Sequence, residues 1–155
     1  MKLRLLAVGN KMPDWVTAGF HEYSRRMPAD CTLELVEISP GQRGKNTNKE
    51  KAMQQEADAL LKAIRPQDHV VALAVDGKPW STEQLAGQLE NWRMQGGDVA
   101  LLIGGPDGMT AEVLNSAAQR WSLSALTLPH PLVRVVLAEQ LYRAWTILQG
   151  HPYHK

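Results

Sequence analysis

Three segments of the sequence combine residue types that could bind a ligand or move a proton. The first is the run Gly104–Gly108, Gly-Gly-Pro-Asp-Gly, which directly follows an apolar stretch typical of a buried strand. Because glycine has no Cβ, a ligand can approach the backbone closely at such a turn. In open α/β sheets, ligands bind beyond the carboxyl ends of the strands. The run therefore indicates a ligand-binding turn, and a purely structural glycine turn is the alternative.

The second segment, Ser122–Pro131, is apolar and rich in small side chains, and Pro131 stands where a helix would begin. A loop of this composition can hold a flat base between apolar walls while its main-chain groups hydrogen-bond to the edge of the base. The simpler interpretation is a strand followed by a turn.

The third segment is the C-terminal tail, Gly150–Lys155, together with Arg143 in the preceding helix. It gathers the phenol of Tyr153, the imidazoles of His151 and His154, and cationic groups. Chain termini usually fray, so functional groups concentrated there suggest a role in chemistry. A solvated tail is the alternative interpretation.

Several common kinds of site are missing from the sequence. It contains no P-loop, HExxH, GxSxG or CxxC motif. The single cysteine, Cys31, excludes an internal disulfide framework and fits a reducing cytoplasm. His151 and His154 are too few ligands for zinc, so no metal site is expected. No apolar run approaches the roughly 20 residues of a membrane span.

The chain has 155 residues, 44% of them hydrophobic, and a net charge of +1. This length favours one domain over residues 1–155, and the near-zero charge argues against a protein that coats nucleic acid indiscriminately. Lys and Arg outnumber Asp and Glu nine to six in residues 1–51 and three to one in residues 130–155, but are outnumbered nine to five in residues 52–129. The two basic ends of the chain are compatible with a local anion-binding site. The alternative is that this charge distribution reflects chance and solvated helix faces.

Hydrophobic periodicity and turn residues divide the chain into alternating strands and helices. Strands are predicted at Lys2–Val8, Thr32–Ile38, His69–Val75 and Asp98–Ile103, with a mixed strand or extended loop over Trp121–Leu128. Helices are predicted to begin at Pro13, at a Thr47–Glu50 capping box, at a Ser81–Gln84 capping box, at Thr110 and at Leu132. The second helix is expected to bury Met53, Ala57, Leu60, Leu61 and Ile64. The alternation predicts an α/β fold with a mostly parallel sheet and flanking helices.

The last predicted helix, about Leu132–Gln149, is apolar around most of its circumference. Such a helix is buried on more than one side. In so small a protein the sheet covers one side only, which predicts a subunit interface on the other. An unusually central core helix is the alternative.

Taken together, four parts of the sequence closely resemble the RlmH family. They are Leu101–Gly108, Leu123–His130, Arg134 through Trp145, and His151–His154. These proteins are SPOUT-class methyltransferases that modify N3 of pseudouridine in large-subunit ribosomal RNA. The likeness begins at the Lys2–Gly9 strand and continues to the tail, so it covers the whole chain.

The resemblance implies a fold whose C-terminal part threads a deep trefoil knot, which the sequence pattern alone would not suggest because knots are rare. It also implies a homodimer that binds S-adenosylmethionine in the knot and acts on the assembled ribosome. Cofactor contacts are expected at Leu73, Gly104, Leu123, Ser124, Ala125, Leu126, Thr127 and Leu128. The family has no appended RNA-binding domain, so RNA contacts must come from the enzyme domain and its partner subunit. Phosphate contacts are expected at Arg43, Lys45, Lys49 and Lys51, with Arg25 and Arg26 as further candidates.

Methylation of a uracil-type N3 requires that its proton leave or that the developing anion be stabilised. The catalytic candidates are Tyr153 and His154 as proton acceptors and Arg143 as the cation beside the developing negative charge. His130 is a second candidate acceptor near the expected cofactor loop. Two other function classes stay open, namely a nucleotide- or RNA-binding module without catalysis and a phosphate-ester hydrolase. The hydrolase lacks a nucleophile or metal constellation in the sequence.

Overall fold

A computed structural model describes residues 1–45 and 48–155 and shows helices on both faces of one five-stranded sheet. The strands are β1 Lys2–Val8, β2 Thr32–Ile38, β3 His69–Pro79, β4 Val99–Ile103 and β5 Gln119–Ser122. The helices are α1 Asp14–Ser24, α2 Lys49–Ala63, α3 Thr82–Gln95, α4 Ala111–Ser116 and α5 His130–Leu148, followed by a 3₁₀ turn at Pro152–His154. The strand order is β2-β1-β4-β3-β5 and every pair is parallel. The predicted α/β fold with a parallel sheet is therefore confirmed.

The central strands β1 and β4 are apolar almost throughout because both of their faces are covered. Successive side chains of a strand point to opposite faces. Accordingly, Leu3 and Leu5 pack with α1, α3 and α5 on one face, whereas Leu6 and Val8 pack with α2 and α4 on the other. This three-layer arrangement leaves the two ends of the sheet as the places where loops gather.

Two of the predicted helix starts are confirmed in detail. Ser81 and Gln84 form the expected capping box, and the Thr110 hydroxyl accepts a hydrogen bond from the Val113 N–H. Thr47 lies outside the described residues, so the Thr47–Glu50 box stays a prediction. The described start of α2 is capped by Asn48, whose side chain accepts a hydrogen bond from the Lys51 N–H.

Helix α2 buries a different set of side chains from the predicted one. Ala57 and Leu60 are buried as expected, but Met53 and Leu61 are only half-buried. The buried face also contains Glu56, at 2% exposure. The hydrophobic pattern missed this residue because a charged side chain scores as solvent-facing, whereas here the carboxylate has partners of its own.

Helix α5 packs between α1 and α3 and buries Leu137, Ala138, Leu141 and Ala144 against the sheet. Leu132, Val136 and Ile147 lie on another side of the helix and are half-buried. The subunit interface predicted for this side stays a prediction, as does the trefoil knot. No helix in the described ranges is long and apolar enough to cross a membrane.

Candidate functional site

A cavity of about 820 Å³ opens at the carboxyl edge of the sheet. Its walls are the ends of β1 and β4, the β3 segment Leu73–Asp76, the glycine-rich turn after β4, and the loop between β5 and α5. This is the edge where parallel α/β sheets bind ligands, because loops from neighbouring strands diverge there. The cavity therefore joins the first two segments that the sequence pointed to.

The glycine-rich turn, residues 104–108, is held tightly on two sides. A Cβ on Gly104 would lie 2.8 Å from the Met109 side chain, and a Cβ on Gly105 would lie 2.8 Å from the Glu56 carboxylate. Gly108 has φ +82° and donates its N–H to the Gly105 carbonyl at 3.0 Å. Gly104 and Gly105 are therefore needed because a Cβ would push the turn against its neighbours, and Gly108 is needed because of its positive φ.

The loop between β5 and α5 is shaped by its serines. The Ser122 hydroxyl donates to the Ser124 carbonyl at 3.2 Å, and the Ser124 hydroxyl accepts the Leu126 N–H at 2.9 Å. These local bonds bend the chain around the cavity. Of the eight residues predicted to bind the cofactor, seven line this cavity, namely Leu73, Gly104, Leu123, Ser124, Leu126, Thr127 and Leu128, whereas Ala125 does not.

Arg134, a residue of α5 that is 1% exposed, connects this helix to the chain that follows β1 at the wall of the cavity. Its guanidinium donates to the Gly9 carbonyl and to the Glu37 carboxylate, both at 2.9 Å, and its Nε donates to His130 Nε2 at 3.0 Å. Because a guanidinium donates its hydrogen bonds in fixed directions, Arg134 holds these three partners in defined positions relative to one another. The sequence motif contained Arg134 but assigned it no role.

His130 lines the cavity and is held as a neutral imidazole. Burial and the neighbouring Arg134 cation lower its pKa below the usual value of 6.5. Nδ1 lies 3.3 Å from the Gly104 carbonyl, to which it donates when Nε2 accepts the bond from Arg134. Because the Nε2 lone pair is already used, His130 acts as an orienting group in this arrangement and is a poor proton acceptor.

The cavity carries little formal charge. Among its lining residues in the described chain, Asp76 is the one acidic side chain, and there is no Lys or Arg. The remaining walls are largely aliphatic, including Val8, Ile103 and Val133. The electrostatics therefore favour a cationic or neutral ligand over an anion. Sequence reasoning missed Asp76, which has no distinctive neighbours in the chain.

The C-terminal tail and Arg143, the third segment that the sequence indicated, form a separate cluster around Glu139. Arg143 donates to the Glu139 carboxylate through Nη2 at 2.7 Å and through Nε at 3.0 Å, and the Tyr153 hydroxyl donates to it at 2.8 Å. The Arg143 guanidinium also lies over the Tyr153 ring, 4.8 Å from its centroid. Glu139 was missed, although its spacing of four residues from Arg143 is the usual spacing of a helical ion pair.

Protonation in this cluster is set by burial and by these hydrogen bonds. Burial and the bond to Glu139 raise the pKa of Tyr153 to about 12. Burial alone would raise the pKa of Glu139, but the bonds from Arg143 and Tyr153 outweigh it and hold this pKa below its usual value. His154 Nδ1 is buried and has no hydrogen-bond partner among the described residues. Tyr153 is thus a neutral donor and Glu139 an anion at neutral pH.

The cluster and the cavity lie at different ends of α5. His130 and Val133 line the cavity, whereas Arg143, Tyr153 and His154 do not. The ten residues from Val133 to Arg143 correspond to about 15 Å along a helix axis. Within this chain the structure thus brings seven of the predicted cofactor residues together and keeps the predicted catalytic residues apart from them.

The four basic residues after β2 that were predicted to contact phosphates differ in their surroundings. Lys45, Lys49 and Lys51 are exposed. In contrast, the Arg43 guanidinium is paired with the carboxylates of Glu56 and Asp107. Three of the four predicted phosphate contacts therefore have side chains free to meet RNA, whereas the fourth, Arg43, is partly exposed but held in two ion pairs.

Comparisons of the whole chain with known proteins identify one group. A family model described as "Predicted SPOUT methyltransferase" matches residues 1–154. The chain is 62% identical to the ribosomal RNA large subunit methyltransferase H of Chromohalobacter salexigens and 56% identical to that of Pseudomonas entomophila. Each alignment spans 155 residues and covers 100% of both proteins.

Solved structures share the fold at low sequence identity. A probable methylase family protein from Haemophilus influenzae matches 99% of this chain and 70% of its own, with a TM-score of 0.60 and 13% identity. A putative methyltransferase from Legionella pneumophila, solved with the bound cofactor SAM, matches 94% of this chain and 66% of its own, with a TM-score of 0.51 and 13% identity. At such identity the likeness is one of fold.

Proposed function

The chain belongs to the SPOUT methyltransferase family, and from this premise we propose that it methylates large-subunit ribosomal RNA with S-adenosylmethionine as methyl donor. The observation that carries the proposal is the 62% identity over the full length of both chains to a protein named for that activity. The chemistry of the cavity supports the same conclusion independently.

The cavity suits this donor in size, polarity and charge. When bound, S-adenosylmethionine supplies a methyl group on a positively charged sulfur. The volume of the cavity, about 820 Å³, lies in the range of small-molecule sites, and aliphatic walls with a few polar groups are typical of such sites. We propose that Gly104 and the loop residues 123, 124 and 126–128 hold the donor and that Asp76 supplies the one matching negative charge.

The finer proposal concerns the acceptor, which we infer to be N3 of a pseudouridine in the assembled ribosome. Lys45, Lys49 and Lys51 then contact phosphates, which gives ribosome binding a strong dependence on salt. Since the substrate is ribosomal RNA, the site of action is the cytoplasm.

The tail cluster supplies the groups that such an acceptor needs. Arg143 stabilises the negative charge that develops on the uracil ring as the N3 proton leaves. With its pKa raised to about 12, Tyr153 stays protonated at neutral pH, so it serves as a hydrogen-bond donor and not as the base. His154, whose Nδ1 has no hydrogen-bond partner within residues 1–45 and 48–155, is the group we assign as proton acceptor.

The test of this function is transfer of labelled methyl from S-adenosylmethionine to ribosomes, followed by mapping of the modified nucleotide. We expect Arg143→Ala and His154→Ala each to lower the rate about 100-fold or more, and Tyr153→Phe to lower it less. Full activity in all three variants would remove the tail from the mechanism. A binding module without catalysis would bind ribosomes and transfer no label, and an absence of donor binding in calorimetry would contradict the proposal as a whole.

We also propose that the active protein is a homodimer whose sites are shared between subunits. Leu132, Val136 and Ile147 lie on the same side of α5 as Glu139 and Arg143, by helical spacing, and keep part of their apolar surface exposed. Two-fold pairing of α5 helices in antiparallel fashion would cover this stripe. It would also carry the tail of each subunit across the interval of about 15 Å to the cavity of the other.

The charge of Asp76 leads to a prediction about donor recognition. Asp76 is exposed, so we expect Asp76→Asn to weaken binding of S-adenosylmethionine only about two- to fivefold. S-adenosylhomocysteine has an uncharged sulfur, so its affinity should fall less if Asp76 faces the sulfonium. Isothermal titration calorimetry with both molecules measures the difference. Asp30→Asn, an exposed carboxylate at the opposite edge of the sheet, is the matched control. Unchanged affinity for both molecules would count against a role for Asp76.

A further inference from the structure

Glu56 is a buried carboxylate for which the proposed mechanism has no use. It lies on the inner face of α2 at 2% exposure. Its Oε2 accepts hydrogen bonds from the Gly41 N–H at 2.9 Å and from Arg43 Nη1 at 2.7 Å. Burying a charge is costly unless it is paired and hydrogen-bonded, so Glu56 depends on Arg43 for its place inside the protein.

Arg43 connects this carboxylate to the glycine-rich turn. Its Nε donates to Asp107 Oδ2 at 3.0 Å, and its Nη1 donates to the Gly41 carbonyl at 3.2 Å. One planar guanidinium thereby joins the chain after β2, helix α2 and the turn after β4. The fixed fork geometry of arginine sets the angles between groups that it joins, which a lysine cannot do.

The turn rests directly on Glu56 as well. A Cβ at Gly105 would lie 2.8 Å from Glu56 Oε1, so the backbone of the turn passes immediately beside the carboxylate. Gly104, Gly105 and Gly108 line the cavity on the other side. A small shift of the Arg43–Glu56 pair would therefore move a wall of the cavity.

We propose that Arg43 is a positioning residue for the methyl-donor site, acting through Glu56 and Asp107 to hold the glycine-rich turn in its binding position. This role differs from the phosphate contact that the basic sequence suggests for Arg43. The inference rests on the proposed function, because the ligand whose affinity it governs is S-adenosylmethionine. It predicts that Arg43 affects donor binding even when no RNA is present.

The experiment is calorimetric titration of S-adenosylmethionine into the full-length protein without ribosomes. We expect Arg43→Lys to weaken binding about tenfold and Asp107→Asn, which keeps an acceptor oxygen but removes the negative charge at the turn, about threefold. The double variant should bind about as weakly as Arg43→Lys alone, because both changes weaken the same connection. In steady-state assays Arg43→Lys should raise KM for the donor more than it lowers kcat. A merely structural loss of stability would not produce this pattern.

Arg65→Lys is the matched control, because Arg65 pairs with Asp98 before β4, at the other edge of the sheet. Thermal unfolding of each variant establishes that it is folded at the temperature of the titration. Donor affinity equal to wild type in both Arg43→Lys and Asp107→Asn would overturn the inference, and accompanying loss of ribosome binding in Arg43→Lys would reassign Arg43 to RNA. Failure of the wild-type protein to bind the donor would instead overturn the proposed function, so the two failures are distinguishable.

Discussion

Mixing two inactive variants of this protein should restore methyl transfer. Ala74→Trp adds a large side chain to a residue that lines the cavity and should block the donor. Arg143→Ala removes the cation of the tail cluster. If each site combines the cavity of one subunit with the tail of its partner, each mixed dimer contains one intact site. Random exchange of subunits should then recover about a quarter of wild-type activity.

The physical reason is the separation along α5. The helix is rigid, and Val133 at the cavity is ten residues from Arg143, so one subunit cannot close the interval of about 15 Å. A mixture of Arg143→Ala with His154→Ala is the control, because both changes lie in the tail and no mixed dimer gains a complete tail. Differently tagged subunits demonstrate exchange. Proven exchange without recovery of activity would show that each subunit works alone and would contradict the shared site.

Replacing Arg134 should both destabilise the protein and abolish donor binding. Arg134→Met keeps much of the side-chain volume but removes the donors to Gly9, Glu37 and His130. Breaking a buried ionic contact typically costs about 3–5 kcal/mol, and we expect the lower end because the Glu37 side chain is 43% exposed and can be rehydrated. Urea denaturation measures the free energy of unfolding, and calorimetry measures donor affinity.

Two milder variants keep this prediction testable if Arg134→Met does not fold. Glu37→Gln weakens only the solvent-facing contact and should cost about 1 kcal/mol or less. His130→Gln alters the contact that reaches Gly104, so it should weaken donor binding more than Glu37→Gln does at similar stability. Equal donor affinity in wild type and His130→Gln would contradict the anchoring role, and so would a fully stable Arg134→Met that binds the donor like wild type.

The sequence by itself determined the features that depend on neighbours along the chain. The Ser81–Gln84 cap and the start of α4 at Thr110 were predicted correctly because the contacts responsible span three residues. The strands β1 and β4 were predicted from their continuous apolar runs, although their pairing joins distant parts of the chain. The sequence also indicated the glycine-rich turn and the small-residue loop as two ligand-binding segments, because ligands bind beyond the carboxyl ends of parallel strands. The structure brings both segments to one cavity, and the binding roles of their residues stay predictions.

Tertiary structure alone decided how distant charged groups are paired. Arg134 reaches Glu37 across 97 residues, and Arg43 reaches Asp107 across 64. The spacing of these residues does not indicate the pairing, because the pairing depends on the strand order β2-β1-β4-β3-β5. For the same reason the sequence indicated Arg43 only as a phosphate contact and did not show its ion pairs with Glu56 and Asp107. Periodicity reports which side chains are buried, whereas only the folded chain fixes which buried charges meet and how far apart two sites on one helix lie.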